Sequence, residues 1–195
     1  MYHHTAAKKL DSEGGPQAAE AIMTTDNYAK EAGLEIEING SSVRLGGAAK
    51  GSGMIEPNMA TMLSFITTDL AITDELLAEA LQEAVDYSFN KITVDGDQST
   101  NDMVAIMANG EADNKQITEK GPAYEQFLGA LEYITRELAQ SIVRDGEGGT
   151  KFIEVEVKGA KSEAQAEAIA RRIANSQLVK TAIFGEDPNW GRIVA

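Results

Sequence analysis

The residues with the clearest chemical potential lie between Lys50 and Asp69, in KGSGMIEPNMATMLSFITTD. One basic side chain sits among small residues and glycines (Gly46, Gly47, Gly51, Gly53). The turn-prone pair Pro57 and Asn58 follows, then an apolar run broken by hydroxyls from Met59 to Thr67. A glycine-rich loop feeding a hydroxyl-bearing strand can place a reactive oxygen on a rigid element without steric cost. The plain alternative is a loop that enters a buried strand. Glu147 is a second candidate, because the glycines of the run Gly146 to Thr150 would let its carboxylate approach a bound molecule. Its plain alternative is a solvated loop acid. A third place is DGDQSTND, Asp95 to Asp102, where oxygen ligands stand at alternate positions. It lacks the sixth-position glycine and twelfth-position glutamate of a calcium loop. We therefore expect a hydrogen-bonded turn that buttresses a site, with no metal and no cofactor.

Composition narrows the chemistry. The 195 residues include no cysteine, so there is neither a disulfide framework nor a thiol nucleophile. His3 and His4 are the only histidines and lie in a polar terminus, which argues against a serine-histidine-acid triad and the common zinc signatures. GSGM has neither the glycine spacing of a dinucleotide fingerprint nor the ending of a P-loop. A nucleophilic hydroxyl must then find its base somewhere other than histidine. With 31 acidic against 17 basic residues and a net charge of -14, the long-range field disfavours nucleic acid and anionic membranes as partners. No apolar run is long enough to span a bilayer and no signal-like segment opens the chain, so a soluble, cytoplasmic protein is expected.

The elements that must position these residues follow from periodicity. PQAAEAIMTTD predicts a short helix running into an extended segment, and LEIEINGSSVRL a hairpin turning at Asn39-Gly40. ITDELLAEALQEAVDYSF predicts a helix capped by Thr73, and Pro122 to Val143 a long one with Phe127, Leu131, Ile134, Leu138 and Ile142 on its inner face. KSEAQAEAIARRIANS predicts a third, capped by Ser162. Short strands are expected at Ile92 to Val94, Ile153 to Val157 and Thr181 to Phe184, Val104 to Ala108 fits strand or helix, and residues 111 to 121 form a polar linker. The expected fold class is α/β in the form of α+β layers, with helices packed on a mixed or antiparallel sheet.

Five phrases, AAEAIMTTD, AAKGSGMIEPNMATML, FNKITVDGDQSTND, EGGTKFIEV and ANSQLVKTAIFGEDPNWGRI, closely resemble the glutamate N-acetyltransferase family, also called ornithine acetyltransferase, of arginine biosynthesis. They nearly cover the chain in the family's order. The resemblance implies a self-processing fold shared with DmpA-like proteins and a precursor cut between Ala60 and Thr61. The chain would divide into residues 1–60, the end of an α-piece, and 61–195, the start of a β-piece whose first residue, Thr61, is the nucleophile. Such an N-terminal threonine needs no histidine, because its free amine, with a reference pKa near 8, can take its own hydroxyl proton.

The resemblance further implies ping-pong acetyl transfer from N-acetylornithine to glutamate, with acetyl-CoA a donor in some members. It carries substrate contacts onto Thr24 or Thr25, Lys50, Thr61 and Glu147, and implies α and β pieces that associate and pair again as a dimer of αβ pairs. The family's oxyanion-hole threonine-glycine pair has no counterpart before Ala18, and its C-terminal asparagine and hydroxyl residue have none after PNWGRI. The sequence therefore reads as a truncated or central portion. The competing readings are a threonine-nucleophile amidohydrolase and a non-catalytic fragment.

Overall fold

The Asn39-Gly40 pair turns a regular hairpin between β1 (Lys30–Ile38) and β2 (Ser41–Lys50), and both turn residues have positive φ, 52° and 83°. That combination is what a two-residue type I′ connection requires. The register places Leu34 opposite Leu45 and Ile36 opposite Val43. The computed structural model describes residues 8, 10–56, 62–98 and 101–195. β3 (Leu63–Thr68) runs antiparallel to β2, from Lys50 opposite Leu63 to Leu45 opposite Thr68. β4 (Met103–Ala108) runs parallel to β3, so the sheet is mixed and ordered β1-β2-β3-β4. Parallel neighbours need a crossover, and residues 69–102 supply it.

Six helices are present among the described residues: α1 (Gly15–Ala21), α2 (Asp74–Asp86), α3 (Pro122–Arg144), α4 (Glu163–Ala174), α5 (Gln177–Phe184) and α6 (Gly191–Val194). α3 is the main cover of the sheet. Its Phe127, Leu131, Ile134, Leu138 and Ile142, spaced by three and four residues, are all fully buried, and it packs on β1, β2 and α2. Pro122 at the start costs this helix no intrahelical bond, because the first-turn donors have no partner in any case. α2 carries Asp74 and Glu75 in its first turn, where the helix dipole favours them. Thr73 occupies the N-cap position, but its side chain makes no capping bond. Ser162 does cap α4, accepting from the Gln165 backbone N–H at 3.2 Å.

Three expected strands are absent from the described ladders. After a single 3₁₀ turn at Phe89–Lys91, the Val94 N–H donates to the Ile55 carbonyl at 2.7 Å. One rung does not make a ladder. Ile153, Val155 and Val157 are half-buried and alternate with exposed Glu154 and Glu156, as the sequence pattern predicts, but no described strand pairs with them. Alternation specifies which face is covered and cannot supply a partner. Thr181 to Phe184 lies in α5, where Ser176 accepts from the Val179 N–H at 3.4 Å and Val179 and Ala182 turn inward. A short apolar run suits either period, and the cap selects the helix. The linker at 111–121 is tied down: the Asn114 amide pairs with both the N–H and the carbonyl of Ala71, and Ile117 joins the core.

At Gly47 α3 lies close against the sheet. A Cβ there would lie 3.1 Å from the Ile66 side chain and the Phe65 carbonyl, and 3.2 Å from Leu138 Cδ1. We expect Gly47→Ala to destabilise by about 1–3 kcal/mol through overpacking, and Leu138→Ala by about 2–5 kcal/mol through a cavity. The double mutant should cost less than the two combined, because the new methyl occupies part of the vacated space. Urea denaturation of the four proteins measures this, and strict additivity would show that α3 and β2 do not meet as described.

Candidate functional site

β2 ends at Lys50, whose partner across the ladder, Leu63, lies two residues after Thr61. Ala60 and Thr61 lie outside the described residues, as do Ser99 and Thr100 of the acidic turn. Lys50 is buried, and its Nζ donates to Thr24 Oγ1 at 3.4 Å. Thr24 and Thr25 are themselves exposed. Thus the loop after α1 and the end of β2 bring together two of the expected contact residues.

The glycine-rich loop that follows Lys50 is clamped from beneath. The Gly51 N–H donates to Asp26 Oδ1 at 2.7 Å, and Ser52 Oγ donates to the Asp145 carbonyl at 2.6 Å. Between these acids lies Lys30, its Nζ 2.6 Å from both Asp26 Oδ1 and Asp145 Oδ2, with side-chain exposures of 0% for Lys30, 0% for Asp26 and 2% for Asp145. Asp26 also accepts from the Thr24 N–H, and Asp145 from the backbone and side-chain nitrogens of Asn27. One buried ion cluster therefore holds the threonine loop, the start of β1, the glycine loop and the end of α3 in fixed relation.

That clamp presents Glu147. Its backbone N–H donates to the Ser52 carbonyl at 3.0 Å, and its exposed side chain lies against Gly53. A Cβ on Gly53 would fall 2.7–2.8 Å from the Glu147 carboxylate, so a glycine there is what lets this acid occupy the loop surface. On the other side, Asp95 accepts from the Met54 N–H at 2.6 Å and the Ile55 N–H at 3.0 Å. The acidic turn thus buttresses the loop.

Asp102, from the same turn, reaches β3: its Oδ1 accepts from the Met62 N–H at 2.6 Å. Its Oδ2 is buried and has no hydrogen-bond partner. Burial pushes this carboxyl above its usual value, against the opposing pull of the Met62 N–H and the charge of Lys50. For Asp26 and Asp145 burial also pushes upward, but hydrogen bonds and the Lys30 charge outweigh it, and both carboxyls sit below the ordinary range.

Sequence reasoning singles out Thr24, Lys50 and Glu147 as expected contacts and passes over Asp26, Lys30 and Asp145, which tie the loops together. Asp26 and Lys30 stand four apart, but that spacing signals an ion pair on a helix, and here the pair sits at a strand entrance. Asp145 is remote in sequence. Asp102 registers only as one acid among several.

Fold and site together define an α+β protein with side chains of both charge signs gathered at a glycine-rich loop. Residues 2–195 match the model of the ArgJ family, and the chain belongs to that family. It is 58% identical over 190 residues to the arginine biosynthesis bifunctional protein ArgJ of Synechococcus sp., covering 97% of this chain and 46% of that protein. To the protein of the same name from Bacillus subtilis it is 55% identical over 181 residues, covering 93% and 45%. The chain thus spans about half the length of the curated relatives it matches. The crystal structure of arginine biosynthesis bifunctional protein ArgJ from Bacillus halodurans superposes with a TM-score of 0.66 at 52% identity, over 69% of this chain and 63% of that one. No helix among the described residues is long and apolar enough to cross a membrane.

Removing the central cation should be costly. Lys30→Met leaves two buried carboxylates facing each other, and we expect a loss of about 3–5 kcal/mol at neutral pH. Both carboxyls have depressed folded-state values, so their contribution is present above the ordinary carboxylate pKa and fades as pH falls through the folded-state values. The penalty of Lys30→Met should shrink over that acid range, because the stranded carboxylates can then take up protons. Chemical denaturation at pH 7 and near pH 3 measures both, and an equal penalty at the two values would exclude a charge-based clamp.

Proposed function

We propose that this chain carries the nucleophile and part of the substrate site of an acetyltransferase that moves an acetyl group from N-acetylornithine to glutamate. The observation that carries the reading is the gathering of Lys50, Thr24 and Glu147 at the loop leading to Thr61, in a chain of the ArgJ family. The relatives' name, arginine biosynthesis bifunctional protein, supports the substrate class.

The chemistry begins with the peptide bond between Ala60 and Thr61. The Thr61 hydroxyl adds to the Ala60 carbonyl, the C–N bond breaks, and the nitrogen leaves with the hydroxyl proton. The resulting ester is hydrolysed by water, leaving residues 1–60 with a new carboxylate and residues 61–195 with a free amine. That amine is the base an amide cannot be. In turnover Thr61 Oγ attacks the acetyl carbonyl of N-acetylornithine while its proton passes to the Thr61 amine and on to the departing ornithine nitrogen. The glutamate amine then attacks the acetyl-threonine ester and regenerates the hydroxyl.

Lys50 and Glu147 suit amino-acid substrates, which bear both charges. Lys50 is the point charge for a carboxylate, and Glu147, exposed at the loop surface, the partner for an ammonium group. The two pieces would remain one body, because β1 and β2 belong to the first and β3 and β4 to the second within a single sheet.

Intact mass before and after incubation tests the processing step. We expect wild-type chain to convert to pieces 1–60 and 61–195, and Thr61→Ala to stay whole. A wild-type chain that neither cuts nor transfers acetyl would overturn the reading in favour of a non-catalytic role.

Gly53→Ala probes Glu147 without altering a charged group. Its methyl displaces the carboxylate, and we expect KM to rise several-fold with kcat little changed, as for Glu147→Gln, since a contact made equally in ground and transition states affects KM alone. A fall confined to kcat in both variants would place Glu147 in the chemical step instead.

A further inference from the structure

α4 meets the rest of the protein through charged and amide groups. None of its residues is buried, and Ile169 is 41% exposed, so no apolar stripe docks it. Its inward side is the row Glu163, Glu167, Arg171 and, at the C-cap, Asn175, each four residues from the last and so on one helix face. Lys91 Nζ lies 3.8 Å from Glu163 and 2.7 Å from Glu167. Arg171 Nη2 donates to the Asn90 carbonyl at 2.7 Å, while its Nη1 lies 3.4 Å from Glu56 Oε1. Asn175 Nδ2 donates to that same Oε1 at 2.8 Å, and its Oδ1 accepts from Thr93 Oγ1 at 2.8 Å.

Glu56 closes the glycine loop and stands four residues before Ala60. Its side chain is 13% exposed, and a carboxylate so far from solvent needs donors to hold it. The loop backbone is secured without α4: Asp95 takes the N–H groups of Met54 and Ile55, and the Val94 N–H holds the Ile55 carbonyl. Nor does the hydrophobic core among the described residues include any residue of α4. What the contacts of α4 add is a fixed direction for the Glu56 side chain.

Resting on the self-cleavage proposed above, we propose that Arg171 and Asn175 are positioning residues for that step. By gripping Glu56 they fix the direction in which the chain leaves the glycine loop toward the segment that is cut. They touch neither reacting group and act through Glu56 alone. Such an anchor matters to rate more than to stability, because a displacement of about 1 Å at a reacting pair can cost about a hundredfold.

The test is the rate of self-cleavage in the full chain, followed by intact mass, with urea denaturation of the same proteins. Asn175→Asp sets a second carboxylate against Glu56, and we expect it to slow cleavage about 10- to 100-fold, the scale of a lost charge-assisted hydrogen bond. Adding Glu56→Gln reverses the pair, with the new amide donating to the new carboxylate, and should return cleavage to within about fivefold of wild type. Arg171→Met should slow cleavage about tenfold. Lys91→Met removes the other attachment of the same helix face and leaves Glu56 its partners, so it should cleave within about threefold of wild type.

Equal slowing by Lys91→Met and Arg171→Met would mark a helix that serves only as scaffold and would overturn the proposal. A double variant as slow as Asn175→Asp, or a rate loss that follows the urea midpoint across the set, would do the same. If Asn175→Asp does not fold, Asn175→Ala answers the question, since it removes the donor without adding a charge: a folded Asn175→Ala that cleaves at the wild-type rate overturns the proposal, and one that cleaves slowly upholds it. A wild type that cleaves in a way that depends on Asn175 and Glu56, but moves no acetyl from N-acetylornithine to glutamate, sinks the acetyltransferase reading and upholds the clamp on Glu56. A wild type that does not cleave overturns both.

Discussion

The cluster of Asp26, Lys30 and Asp145 is the constraint on which the site depends. Two carboxylates and one ammonium, all essentially without solvent, cost several kcal/mol per ion to desolvate, and geometry alone decides whether that cost is recovered. Here the remaining lone pairs are occupied: Asp26 takes the N–H groups of Gly51 and Thr24, and Asp145 takes two nitrogens of Asn27. Such a cluster contributes little as a simple source of stability. Its effect is to fix the relative positions of four chain segments, three of which present Thr24, Lys50 and Glu147.

The sheet solves a different problem. A chain cut between Ala60 and Thr61 would fall into two pieces unless something else joined them. β2 and β3, one from each side of that bond, pair over six residues from Leu45 opposite Thr68 to Lys50 opposite Leu63. α3, from the second piece, lies across β1 and β2 of the first and buries a continuous stripe against them. The apolar contacts that hold the layers together thus cross the proposed cut, so a broken peptide bond need not loosen the site.

Much of this frame is legible in the chain. The hairpin at Asn39-Gly40, the inner face of α3 and the Ser162 cap all follow from local periodicity and turn chemistry, and each stands as expected. The misses share a cause. Ile153 to Val157 has the alternation of a strand without a described neighbour, and Thr181 to Phe184 is short enough for either period until Ser176 caps it as a helix. The DGDQSTND cluster likewise reveals a polar turn but not its targets. Asp95 holds the glycine loop and Asp102 holds β3, two jobs that one-dimensional spacing does not separate.

The amino-acid sequence by itself determined the available chemistry. Without cysteine, and with histidine only at positions 3 and 4, a hydroxyl nucleophile needs an unusual base, and a lysine and a glutamate stand beside glycines. It also determined the helices and the hairpin, because those depend on neighbours within a few residues. Tertiary structure alone decided which charges meet. Lys30 and Asp145 are 115 residues apart, and Met62 and Asp102 are 40 apart. Whether such groups form a satisfied cluster or leave a carboxylate oxygen unpartnered depends on how the layers close, and electrostatic energy in a buried site is set by ångström distances that sequence separation does not encode.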